Sequence, residues 1–102
     1  MTPEWVHELA RAAAARGAAL LDAPVTGSKA QAEGGELRFL VGGDAAVLER
    51  ARPALEAMGR TAVHVGPAGS GALLKLVNNF LCGVQAASLA EALALVERAG
   101  LD

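Results

Sequence analysis

From Ser70 to about Ala99 the chain is a long apolar run, entered through the glycine turn Gly69-Ser70-Gly71. As a single helix it would be about 45 Å long. That is longer than the rest of so small a domain needs, and a helix this apolar has no structural use for the polar cluster it carries, Lys75, Asn78 and Asn79. The 102 residues allow one small core. A hydrophobic content of 53% with only 20% charged residues is high for a unit of this size, so part of the apolar surface is expected to meet a partner or further chain.

The remaining segments set an α/β pattern. Thr2-Pro3-Glu4 has the order of a helix start, a hydroxyl cap, a proline at the first helical position and an acid in the first turn, and the helix it opens runs to Gly17. Ala18 to Val25 is a short apolar run that suits a buried strand with Pro24 near its end. Thr26 to Glu36 is polar and glycine-containing, a loop with one helical turn around Lys29 to Glu33. Leu37 to Gly43 predicts a second strand, Asp44 caps a helix to about Met58, and Thr61 to Val65 alternates as a third strand. The loop between the first two strands is too short for a crossover, so they are expected antiparallel. The helix between the second and third implies a parallel pair. The expected fold is α/β, with a small mixed sheet of three strands that leaves an edge to be covered.

Composition excludes several function classes. A net charge of -2 gives no footprint for nucleic acid. Cys82 is alone, and His7 and His64 lack neighbours at ligand spacing, so no metal site is expected and a reducing, cytoplasmic setting fits best. Lys75, Asn78, Asn79, Gln85 and Glu91 interrupt the apolar helix, which argues against a membrane span, and the N-terminus is amphipathic rather than a leader.

Two phosphate-loop readings of the glycine turn fail. Gly66 and Gly71 have P-loop spacing, but Ala72 and Leu73 stand where Lys and Ser or Thr belong; Gly69 and Gly71 are followed by Leu74 where a dinucleotide fingerprint needs its third glycine. The glycines are left with a mechanical use, a sharp turn that brings helix N-terminal amides close to a cleft, or with none beyond flexibility.

Only Lys29 and Lys75 among the nine basic residues are lysine. Lysine can carry a proton when burial or a helix N-terminus favours its neutral form, whereas arginine stays charged. Lys75 lies about one turn into the helix, and Asn79, four residues on, projects from the same face. The pair suits oxidation of an alcohol or reduction of a carbonyl, with Lys75 moving the hydroxyl proton and Asn79 holding the same oxygen or its neighbour. A snorkelling lysine with asparagines at a kink fits the same residues. At the end of the first strand, the amides of Gly27 and Ser28 with the hydroxyls of Thr26 and Ser28 offer a set of donors for a carboxylate, or an ordinary turn.

In order, these segments resemble the β-hydroxyacid dehydrogenases, the family of 3-hydroxyisobutyrate dehydrogenase, 6-phosphogluconate dehydrogenase and glyoxylate/succinic semialdehyde reductase. The resemblance runs from about Thr2 to Asp102. An Asp-Ala-Pro-Val-Ser-Gly-Gly motif is matched by Asp22 to Ser28, with Thr26 for serine and Ser28 for the second glycine. Gly42-Gly43-Asp44 follows, and then Gly-x-Gly-x-x-x-Lys-x-x-Asn-Asn at Gly69, Gly71, Lys75, Asn78 and Asn79. The resemblance implies that Lys75 is the catalytic acid/base, that Thr26, Gly27, Ser28 and Asn79 bind substrate, and that the cofactor of the complete enzyme is NAD or NADP. It implies that residues 1–66 are the C-terminal part of a Rossmann-type cofactor domain and that 67–102 begin an interdomain helix leading to an all-helical domain. The expected substrate is a small β-hydroxyacid or aldehyde acid, and the expected assembly a homo-oligomer. With the nucleotide-binding glycine loop upstream of this segment in the family, the chain alone is expected to be inactive. A non-catalytic binding or oligomerisation module derived from the same fold is the alternative.

Overall fold

The computed structural model describes residues 1–101. Helix α1 spans Pro3–Ala14, strand β1 Val25–Thr26, helix α2 Lys29–Glu33, strand β2 Leu37–Gly42, helix α3 Ala45–Glu56, strand β3 Gly59–Gly66 and helix α4 Ser70–Arg98. The sheet is mixed, in the order β1-β2-β3, with β1 antiparallel and β3 parallel to β2.

The helix starts follow their local chemistry. Thr2 Oγ1 accepts the Trp5 amide of α1 at 3.3 Å, and the Glu4 backbone amide, helped by the Thr2 hydroxyl, holds the Glu4 carboxylate below its ordinary range. Asp44 accepts the amides of Ala46 at 2.8 Å and Val47 at 3.1 Å, so α3 begins at Ala45. Arg52 of α3 donates to Glu49 and to the Ala62 carbonyl of β3, and the bond from Arg52 lowers the Glu49 pKa while raising its own.

The first predicted strand needs correction. Only Val25 and Thr26 form a strand, and upstream of them a single bridge joins Asp22 to Gly42. Asp22 and Gly42 exchange both backbone bonds, and the Pro24 carbonyl accepts from Leu40 at 2.9 Å. Pro24 has no amide to return, so the ladder is broken there. The helix ends also shift inward, α1 to Ala14 rather than Gly17 and α3 to Glu56, with Gly59 opening β3.

Phe39 and Val41, on one face of β2, meet Leu48 of α3 in the core, with Leu21, Ala23, Val25, Leu55 and Ala62 packed around them. Only the first turn of α4 is fully buried, at Gly71 and Ala72. From Asn79 onward every described residue is exposed, including Phe80, Leu89, Leu93 and Leu95. The helix therefore projects from a small body and stretches the molecule to 64 Å. By length and composition alone α4 is apolar enough to cross a bilayer, although Lys75, Asn78, Asn79, Gln85 and Glu91 stand along it.

Candidate active site

The site is built where the end of the bridged segment meets the start of α4. The N-cap of helix α4 is Gly69, which has φ of 92° and no side chain to satisfy the free amides of the first turn. Asp22, 47 residues earlier, does so: one carboxylate oxygen accepts Gly69 N–H at 2.8 Å and the other accepts Ala72 N–H at 2.8 Å. Asp22 is only 3% exposed, and its negative charge meets the positive end of the helix. The turn does bring helix N-terminal amides to this point, and an internal carboxylate takes two of them.

This arrangement depends on missing Cβ atoms. A Cβ on Gly71 would strike the Leu40 carbonyl oxygen and lie 3.0 Å from both the backbone and carboxylate oxygens of Asp22. A Cβ on Gly42 would strike the same carboxylate. Next to them, His7 of α1 donates from Nε2 to the Ala68 carbonyl at 2.7 Å, pinning α1 to the glycine turn.

Between α1, the Leu20–Pro24 segment and α4 lies a cleft of about 410 Å³. Val6, Leu9, Leu76 and Ala72 make it largely apolar, and Lys75 and Asn79 line it from successive turns of α4. Lys75 is half-buried and Asn79 exposed; among the described residues no acid pairs with Lys75. Asn78 faces elsewhere, its Nδ2 lying 4.0 Å from Cys82 Sγ.

Thr26, Gly27 and Ser28 do not line this cleft. Thr26 is paired with Arg38 across the sheet, Gly27 has φ of 125°, and Ser28 opens α2. The Ser28 amide donates to Gln31 Oε1 at 2.9 Å and its hydroxyl donates to the same oxygen, so both are engaged within the chain. Sequence reasoning placed Asp22 in a substrate motif and missed its capping role. The available signal was a helix opening on glycine with no cap of its own beside an acid at a buried strand end. Among the described residues no group of three His, Cys, Asp or Glu is placed to hold a metal ion.

Residues 1–66 match the family described as the NAD binding domain of 6-phosphogluconate dehydrogenase. The chain belongs to that family. It is 50% identical over all 102 residues to 3-hydroxyisobutyrate dehydrogenase of Pseudomonas aeruginosa, covering 34% of that protein. It is 48% identical to NAD-dependent L-serine dehydrogenase of the same organism, again over the whole chain and 34% of the relative. Among solved structures, the 3-hydroxyisobutyrate dehydrogenase of Mycobacterium tuberculosis with L-serine superposes with a TM-score of 0.93 at 40% identity, over 99% of this chain and 35% of that one. The chain thus spans about a third of the length of the relatives it matches.

The matched family domain binds NAD. The start of α4 offers no anion site for its pyrophosphate, because the Gly69 and Ala72 amides are already bonded to Asp22.

Proposed function

We propose that these residues supply the proton-transfer and substrate half of an NAD(P)-dependent oxidoreductase acting on a small 3-hydroxy acid or the matching aldehyde acid. One observation carries the reading: Lys75 and Asn79 line the same cleft as the Asp22-Ala23-Pro24 strand end. The substrates named for two relatives, 3-hydroxyisobutyrate and L-serine, share a primary alcohol two carbons from a carboxylate. Bound nicotinamide supplies the exchange of hydride. The chain's own residues manage the proton and the pose. Lys75 Nζ takes the hydroxyl proton on oxidation and returns it on reduction. Asn79 hydrogen-bonds the same oxygen or its neighbour, and the apolar wall from Val6 to Leu76 excludes water. Thr26, Gly27 and Ser28 receive the carboxylate once Gln31 releases Ser28. Residues 1–66 act as part of the cofactor domain, and 67–102 as the start of the interdomain helix. The lone Cys82 suits a cytoplasmic protein.

The test is a chimera in which these residues replace the matching third of the Pseudomonas aeruginosa 3-hydroxyisobutyrate dehydrogenase. The chimera is expected to oxidise 3-hydroxyisobutyrate with a nicotinamide cofactor, and the chain alone to give no turnover. A folded chimera without turnover overturns the reading and favours the binding or oligomerisation module, for which the bare apolar length of α4 is the supporting observation.

That same bare length supports a homo-oligomer. Phe80, Leu89 and Leu95 stand 60–70% exposed, and β3 forms an outer strand of the sheet. Sedimentation velocity is expected to show a dimer or larger species without detergent; a monomer at high concentration would count against it.

A further inference from the structure

We infer that Asp22 is a positioning residue for Lys75, holding the two halves of the site in register; the inference rests on Lys75 being the proton carrier. Asp22 sits on the segment that leads through Ala23 and Pro24 into β1 and the Thr26–Ser28 loop. Its carboxylate binds the first turn of α4 at Gly69 and Ala72, and Lys75 leaves the helix about one turn beyond Ala72. A single buried side chain therefore couples the strand end to the helix that carries Lys75 and Asn79.

Three features make this a fixed linkage. The carboxylate is 3% exposed with both oxygens engaged. Asp22 is also tied through its backbone, since Asp22 and Gly42 exchange amide-to-carbonyl bonds at 3.0 and 2.8 Å. A Cβ on Gly42 or Gly71 would press on the Asp22 carboxylate, so both glycines are needed to seat it. Without the carboxylate, Gly69 offers nothing in its place, and the turn bearing Lys75 is free to fray.

Asp22→Asn keeps the size and one acceptor but turns an amide donor toward one of the two N–H groups. In the 102-residue chain, hydrogen exchange is expected to speed up at the Gly69, Ala72 and Lys75 amides while Leu40 and Val63 keep their protection. In the chimera, kcat is expected to fall about 10- to 100-fold with KM changed less than about threefold, as displacement of a catalytic group predicts. A purely structural role would lower thermal stability and leave kcat at low temperature unmoved. If Lys75→Ala keeps turnover, the proton-carrier reading falls and this inference with it. If Lys75→Ala abolishes turnover while Asp22→Asn keeps kcat within about twofold, only the positioning role falls. Should Asp22→Asn fail to fold, the smaller Asp22→Ser is measured in the same way; failure of both to fold makes Asp22 a determinant of the fold and overturns the inference.

Discussion

Lys75→Ala in the chimera is expected to lower kcat by about 10²- to 10⁴-fold, the range for removal of a positioned general acid/base. The fold should hold, because Lys75 is half-buried and no ion pair of the described residues involves it. Lys75→Arg separates charge from proton transfer: arginine restores the cation and much of the stem but cannot deprotonate, so it should stay as inactive as alanine. Steady-state kinetics with matched circular dichroism spectra check both. Turnover within a few-fold of the parent in Lys75→Ala would remove lysine from the chemistry, and recovery in Lys75→Arg would leave it only a charge role.

Gly71→Ala is expected to give the largest loss of stability. The new methyl group meets the Leu40 carbonyl and the Asp22 oxygens, which belong to bridged backbone and a bonded carboxylate rather than to movable side-chain tips. Overpacking of this kind costs about 1–3 kcal/mol. Lifting the helix also weakens two hydrogen bonds to a buried charge, each worth about 1.5–3 kcal/mol. Against this stands a gain of only about 1 kcal/mol for alanine over glycine in a helix. Gly83→Ala supplies the control, since it lies in the same helix with nothing within 4 Å of the added group. Thermal unfolding should show Gly71→Ala well below the parent and Gly83→Ala level with it or above. A melting temperature for Gly71→Ala at or above that of the parent would mean that the close approach of α4 to β2 is not a constraint.

Much of the fold was legible because its signals are local. Thr2 and Asp44 announce their helices through side chains that reach amides two or three residues away, and those bonds are present. The connection from Thr26 to Leu37, holding only the short helix α2, is too short for a crossover and gives an antiparallel pair, and the helix between β2 and β3 permits a parallel one. The strand over Ala18 to Val25 was overestimated for a tertiary reason. Apolar composition suits an extended segment, but a ladder also needs a partner, and Pro24 withholds the amide that would continue it.

The site divides along the same line. The spacing of Lys75 and Asn79 places them on one helix face whatever the surroundings, so their shared cleft follows from helical geometry. Ser28 is different: its sequence suits either a set of donors for a carboxylate or an ordinary turn, and Gln31, three residues on, takes both donors locally.

By itself, then, the sequence determined the order and type of the elements, the mixed sheet and the pairing of Lys75 with Asn79, because caps, turns and helical period act over a few residues. Only the tertiary structure decided what the glycine turn is for. Asp22 and Gly69 are 47 residues apart, and nothing in local pattern says that the carboxylate of one closes on the amide of the other. That meeting depends on Gly42 and Gly71 giving up their side-chain volume at the same point, which becomes visible only when strand and helix are packed together.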